Sequence, residues 1–156
     1  MRIGHGYDAH RFGGNRPFVI GGVRIPFEKM LKAHSDGDTL AHAVIDALFG
    51  AAGLPDIGAQ YPDSAAAFDG ADSMELLRDA MAKVRAAGFR LEYLDCTVVA
   101  QAPKMARHIP EMRRRIAEAC EVEPSRVNVK ATTEEHRGFT GDGTGIAAHA
   151  VCLLLE

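Results

Sequence analysis

Met1-Arg2-Ile3-Gly4-His5-Gly6-Tyr7-Asp8-Ala9-His10 is the stretch on which the fold turns. Taken with a period of two, it places Ile3, His5 and Tyr7 on one side of an extended chain and Gly4, Gly6, Asp8 and His10 on the other. The second side carries no bulk in its first half and two groups able to bind a cation at its end. Asp8 and His10 are two residues apart, so they point the same way at a spacing of about 6.5–7 Å along the strand. Side chains of their length can reach one ion across that gap.

Moving outward, Phe18-Val19-Ile20 and Val23-Arg24-Ile25 flank Gly21-Gly22, whose tolerance of positive φ suits a tight hairpin turn, with Pro26 closing it. Ser35 or Asp36 then caps a helix running to about Ala52, which Gly53 and Pro55 stop. Leu40, Val44, Ala47 and Leu48 form its apolar stripe. Asp38, His42 and Asp46 recur every four residues on roughly the opposite side, so His42 is expected off the core, and Asp36 and Asp38 complement the positive helix start. Asp8, His10, His34, His42 and Asp46 thus fall in two short segments. Two imidazoles and a carboxylate with an open position form the catalytic pattern of zinc, so Asp8, His10 and His42 are the expected ligands.

From Asp56 to Gly70 the chain is rich in Asp, Pro, Gly and Ala without clear periodicity, which predicts a long functional loop. Asp72 or Ser73 opens a second helix with Leu77, Ala80, Met81, Val84 and Ala87 at helical spacing, ended by Gly88. Leu94 to Ala100 reads as a strand, Pro110 to about Cys120 as a third helix, Val127 to Ala131 as a strand and Ile146 to Leu155 as a long apolar last strand. Arg113-Arg114-Arg115 fits a solvated helix face. The expected architecture is one domain over 1–156 of the α/β or α+β kind, a sandwich with a mixed sheet of about four main strands, a small hairpin and three helices on one face.

Composition narrows the function classes. A hydrophobic fraction of 47% and a charged fraction of 25% over 156 residues are those of an ordinary globular domain. The net charge of −3 offers no footprint for nucleic acid, no apolar run is long enough for a membrane span, and no signal-peptide core follows Met1. A cytoplasmic protein is expected. Cys96, Cys120 and Cys152 sit in apolar patterns as reduced core thiols, leaving any metal to His and carboxylates.

A second cluster is Thr132-Thr133-Glu134-Glu135, which leaves a strand for the glycine-rich segment Gly138 to Gly145. Hydroxyls there can donate to phosphate oxygens, and a carboxylate can hold a hard ion such as magnesium. Without the Gly-Lys-Ser/Thr ending of a P-loop, a plain glycine-shaped turn is an equal reading. Ala100-Gln101-Ala102-Pro103-Lys104-Met105, at a strand end, is either a ligand loop or a connection.

Together these segments resemble the 2-C-methyl-D-erythritol 2,4-cyclodiphosphate synthase family over essentially the whole chain. The resemblance rests on Gly4 to His10, on His34-Ser35-Asp36-Gly37-Asp38 with His42, on Asp56-Ile57-Gly58 with Tyr61-Pro62-Asp63, on Ala100 to Met105, and on Lys130-Ala131-Thr132-Thr133-Glu134. It implies a homotrimer with active sites between subunits, and a phosphorylated CDP-methylerythritol substrate cyclised with loss of CMP in non-mevalonate isoprenoid biosynthesis. It implies zinc on Asp8, His10 and His42, magnesium or manganese on Glu135, and transition-state stabilisation by His34 and Thr133. Substrate contacts implied by the same resemblance extend over Ala9, Ser35, Asp46, Asp56, Ile57, Gly58, Tyr61, Pro62, Asp63, Ser64 and Ala65, over Ala100 to Ala106 for the cytosine, and over Ala131, Thr132, Glu134, Phe139 and Asp142. Where the family often carries Arg and then Glu, this chain has Asp142 and Thr144, and a carboxylate cannot pair with phosphate as Arg does.

Two other readings of the residues stay open at this point. A zinc phosphohydrolase would use the open metal position to activate water. A non-catalytic nucleotide-binding or structural-metal module would fill that position with protein.

Overall fold

The computed structural model describes residues 1–62, 64 and 69–156. A first strand, β1 (Arg2–Arg16), is followed by the short strands β2 (Val19–Ile20), β3 (Val23–Arg24) and β4 (Leu31–Lys32). Then come α1 (Thr39–Ala52), α2 (Ile57–Gln60), α3 (Ser73–Ala86), β5 (Arg90–Val99), α4 (Ile109–Cys120), β6 (Val127–Thr132), α5 (Gly138–Gly141) and β7 (Gly145–Leu155). Five strands form one mixed sheet in the order β4-β1-β7-β5-β6, in which only β5 and β6 run parallel, and β2 and β3 form a separate hairpin. The four long strands, the hairpin and the three long helices α1, α3 and α4 match the architecture expected from the sequence.

The glycines of β1 decide how the layers meet. A Cβ on Gly4 would lie 1.9 Å from the carbonyl oxygen of Ala47, and one on Gly6 1.9 Å from that of Ala43. Helix α1 therefore lies directly on the backbone of β1, closer than any side chain permits. Cys152 of β7 donates its thiol to the same Ala47 oxygen at 3.2 Å. α3 packs over α1, and α4 packs on α3 and β6, so every residue of α1 except Asp46 and Gly50 is buried.

That burial corrects the expectation for His42, which is enclosed rather than set on an exposed polar side, because α1 is covered on both sides. The cap is also corrected. Asp38 caps α1, accepting from the Ala41 N–H at 3.0 Å, and it also accepts from the Gly21 and Gly22 N–H groups at 2.8 and 2.6 Å. One fully buried carboxylate thereby joins the hairpin turn to the helix start. Burial and the charge of Asp36 push its carboxyl above the ordinary range, against the hydrogen bonds it accepts.

Other boundaries moved for local reasons. β1 continues six residues past His10 because a bulge at Gly13, with φ of +92°, lets it pair with β4. The stretch after Asp56 begins with α2, capped by the Asp56 carboxylate on the Ala59 N–H at 2.8 Å. The glycine-rich segment holds the one-turn helix α5 rather than a hairpin turn. Ala87 is the exposed cap of α3 and not part of its buried stripe. Arg114 and Arg115 lie exposed and paired with Glu111, as expected of a solvated face, whereas Arg113 turns inward to donate to the Val127 carbonyl at 2.8 Å. All three cysteines are free and buried.

Candidate metal centre and nucleotide site

Because Gly4 and Gly6 draw α1 onto β1, the next two inward positions of the strand, Asp8 and His10, meet the first turns of the helix at His42. The Asp8 Oδ2 atom lies 3.0 Å from His10 Nε2 and 3.1 Å from His42 Nδ1, and the two imidazole nitrogens are 3.3 Å apart. Three atoms of zinc-ligating type, spaced as neighbours in one coordination shell, converge on a single point. Burial alone raises the Asp8 carboxyl, but hydrogen bonds and charge from His10 and His42 outweigh it and hold it well below its ordinary value. Burial alone lowers His42, but Asp8 outweighs it and the value is raised. Both shifts describe a pocket that favours positive charge.

The other nitrogen of His42 is held too. Nε2 is 2.8 Å from Ser73 Oγ and 3.3 Å from Ser35 Oγ, and Ser73 Oγ donates to Asp36 Oδ1 at 2.5 Å. Because the Ser73 hydroxyl donates to Asp36, it accepts from His42 Nε2–H, and Asp36 anchors the chain. Asp36, expected as a helix cap, is instead the end of this relay. Ser73 was missed because a serine at a helix start reads as a cap and nothing more.

The three ligands line a cleft of about 200 Å³ with His34, Ser35, Ile57, Gly58, Tyr61 and Leu76. His34 Nε2 is buried and, among the described residues, has no hydrogen-bond partner, as suits a group aimed at a ligand. Asp46 and Asp56 act one step back. Asp46 accepts from the Ile57 N–H at 2.8 Å, so both carboxylates fix α2, whose Ile57 and Gly58 form the cleft wall. Burial raises the Asp46 carboxyl. The Tyr61 hydroxyl donates to Asp79 at 2.6 Å. Pro62 and Ser64 do not line the cleft, and Asp63 and Ala65 lie outside the described residues.

The second cluster gathers elsewhere. Ala100, Gln101, Pro103, Lys104, Met105, Ala106, Ala131, Thr132 and Thr133 line a separate cleft of about 380 Å³ where β5 and β6 end side by side. Ala102 precedes Pro103 through a cis peptide bond beside it. Glu135 accepts from the Thr133 hydroxyl at 2.7 Å, and Glu134 accepts from that of Thr140. Phe139 lies with Ala9 and Thr144 in a third cleft that His10 also lines. Asp142 is engaged locally, accepting from the Thr144 N–H and hydroxyl at 2.9 and 2.7 Å. Within one chain, the zinc-type ligands and the Thr133 group thus face different clefts.

The fold and the cleft together define a class: a small α+β protein with an Asp-His-His group able to hold a metal ion in one cleft and a separate cleft at the ends of β5 and β6. Comparison with known proteins narrows it. The YgbB family profile matches residues 1–155, and the chain belongs to that family. A relative from Serratia proteamaculans (strain 568), named 2-C-methyl-D-erythritol 2,4-cyclodiphosphate synthase, is 61% identical over all 156 residues and 99% of its own length. Among solved structures, the bifunctional IspDF from Campylobacter jejuni superposes with a TM-score of 0.94 at 48% identity, covering 98% of this chain, which spans 42% of that longer protein. The Plasmodium falciparum IspF CDP complex superposes with a TM-score of 0.86 at 30% identity, covering 99% of this chain and 95% of that one.

Proposed function

We propose that this protein converts 4-diphosphocytidyl-2-C-methyl-D-erythritol 2-phosphate to 2-C-methyl-D-erythritol 2,4-cyclodiphosphate and CMP, a step of non-mevalonate isoprenoid biosynthesis. The observation that carries it is the convergence of Asp8, His10 and His42 within 3.3 Å of one another in the lining of a cleft, in a chain 61% identical to a protein of that name. A 2-phosphate oxygen attacks the β-phosphorus, the bond from that phosphorus to the bridging oxygen breaks, and CMP leaves with the electron pair. No water enters the balance.

Nucleophile and electrophile belong to one molecule, so the protein's task is to fold the substrate for in-line attack, a contribution of about 7–11 kcal/mol. The Ile57-Gly58 wall, fixed by Asp46 and Asp56, holds the sugar hydroxyls. The loop from Tyr61 to Ala65 holds the methylerythritol phosphate end. Ala100 to Ala106 with Ala131 and Thr132, all but Ala102 lining one cleft, hold the cytosine; that the Plasmodium falciparum relative is a CDP complex supports a cytidine nucleotide as ligand. His34, whose Nε2 has no hydrogen-bond partner among the described residues, and Thr133 steady the charge of the transition state. Asp8, His10 and His42 would hold zinc, which would supply Lewis-acid chemistry, and Glu135 would hold magnesium or manganese, which would supply charge neutralisation.

The separate clefts for the metal ligands and for Thr133 support active sites completed by a neighbouring copy, in a homotrimer. The three buried thiols suit the reducing cytoplasm. Among the described residues no helix is long and apolar enough to cross a membrane. Phosphorus NMR of the incubated substrate, with and without a chelator, tests the whole reading. Cyclic diphosphate and CMP are expected only in the unchelated sample; a linear hydrolysis product in their place refutes it.

A further inference from the structure

On the opposite side of the sheet from the Asp8-His10-His42 cleft, two more imidazoles meet. His5 of β1 and His149 of β7 both rise from the open side of the sheet, with His5 Nε2 3.2 Å from His149 Nδ1 and ring centroids 5.5 Å apart. Tyr7 stands directly opposite His149 in the strand register and sets its ring 4.9 Å from the imidazole. Both histidines are carried by the centre of a continuous antiparallel ladder from Arg2 to Arg11. Their Cα positions are therefore fixed by backbone pairing, and Tyr7 packs against one of the two rings.

Two neutral imidazoles at this spacing satisfy one another as a donor and an acceptor. The same spacing suits two ligands of one ion. At metal–nitrogen lengths of about 2.0–2.1 Å, adjacent nitrogens of a tetrahedral or octahedral shell lie about 3–3.4 Å apart. Imidazole selects zinc, copper and nickel over calcium or magnesium, which want oxygen. We propose that His5 and His149 form a second metal site that takes a divalent ion of the nickel, copper or zinc kind, separate from the catalytic cleft. Both ligands are already placed by the ladder, so the ion orders little on binding. Its remaining positions fall to water or to another copy of the chain meeting this side, where Ile3, Tyr93 and Val151 are exposed. The proposal does not rest on the function proposed above, because its ligands share no residue with that site and leave the other side of the sheet.

The test loads the protein with one equivalent of zinc, removes the excess and titrates nickel near neutral pH by calorimetry. Wild-type protein is expected to take up nickel with a saturable heat. His149→Phe and His5→Phe are expected to lose that heat while retaining zinc and a cooperative melt at the wild-type temperature, which shows that they fold. His149→Gln keeps a hydrogen-bond partner for His5 but removes the imidazole, and it too is expected to lose nickel. His42→Ala is expected to keep it, placing the ion outside the cleft. Absence of nickel uptake by the wild type overturns the site, as does uptake unchanged in His149→Phe and His149→Gln, or uptake lost with His42→Ala alone.

Discussion

At His42 two demands meet in one ring. To ligate an ion held with Asp8 and His10, Nδ1 must offer it a lone pair, and the Nε2–H donated to Ser73, backed by Asp36, fixes the tautomer that allows it. Partners of this kind orient a metal-bound imidazole and raise its basicity, and their loss costs about 10–100-fold in metal affinity. Ser73→Ala is therefore expected to weaken zinc by that factor in competition with a chromophoric chelator, while protein saturated with zinc keeps most of its kcat. The same centre gives the chelated protein a defined response to pH. A raised His42 value means that its bound proton stabilises the fold, fully so below the ordinary 6.5 and progressively less as pH climbs through the raised value. The lowered Asp8 carboxyl acts in the opposite sense, stabilising above the ordinary 3.8 and losing that contribution only as pH falls through its depressed value. Melting temperatures of chelated protein should decline on the alkaline side of 6.5, and zinc, which replaces that proton, should remove the decline. A chelated profile that is flat there would refute the raised His42 value.

At the level of elements, the contact between β1 and α1 sets everything else in register. Gly6→Ala would drive a methyl group to 1.9 Å from the Ala43 oxygen, a backbone atom that cannot yield without moving the helix. The expected cost is about 3 kcal/mol, or a fall of about 6–12 °C in Tm for a chain of this size, with zinc affinity falling as His42 is displaced. A Gly6→Ala melt within a degree of wild type would show that α1 does not rest on the strand. Asp38→Ala should cost about 1–3 kcal/mol, since it strips buried N–H groups of Gly21, Gly22 and Ala41 of their acceptor. The period of two in Gly4, Gly6, Asp8 and His10 already exposed the open side of the strand and the ligands beyond it. What crosses that side was not legible there, because a glycine records that something comes close and not what it is. For the same reason the helix pattern misplaced His42. A stripe of Leu40, Val44 and Leu48 reports one packed side, whereas α1 is enclosed by the sheet on one side and by α3 on the other.

For the molecule as a whole, the local pattern singled out the Asp8, His10 and His42 group and the Thr132 to Glu135 cluster, but no pattern along one chain states which groups share a substrate. The structure separates them: Asp8, His10, His34 and His42 line one cleft, and Thr133 with Ala100 to Ala106 line another. If neighbouring copies join these halves, a copy defective in one half can be rescued by a copy defective in the other. His42→Ala removes the first half and Thr133→Val with Glu135→Gln the second, and each variant alone should be nearly inactive. Co-expressed in equal amounts with different tags and isolated through both, they assemble at random into mixed rings. A mixed ring of three joins two intact halves at one of its head-to-tail interfaces, about a third of them, so mixed protein should recover activity of that order per site. If every group instead served a substrate within its own chain, no mixture of the two variants would recover any activity, because every chain would carry a defect in its only site. The recovered fraction therefore decides between a shared site and a self-contained one, with size-exclusion chromatography confirming that the assayed species contains both tags in one assembly.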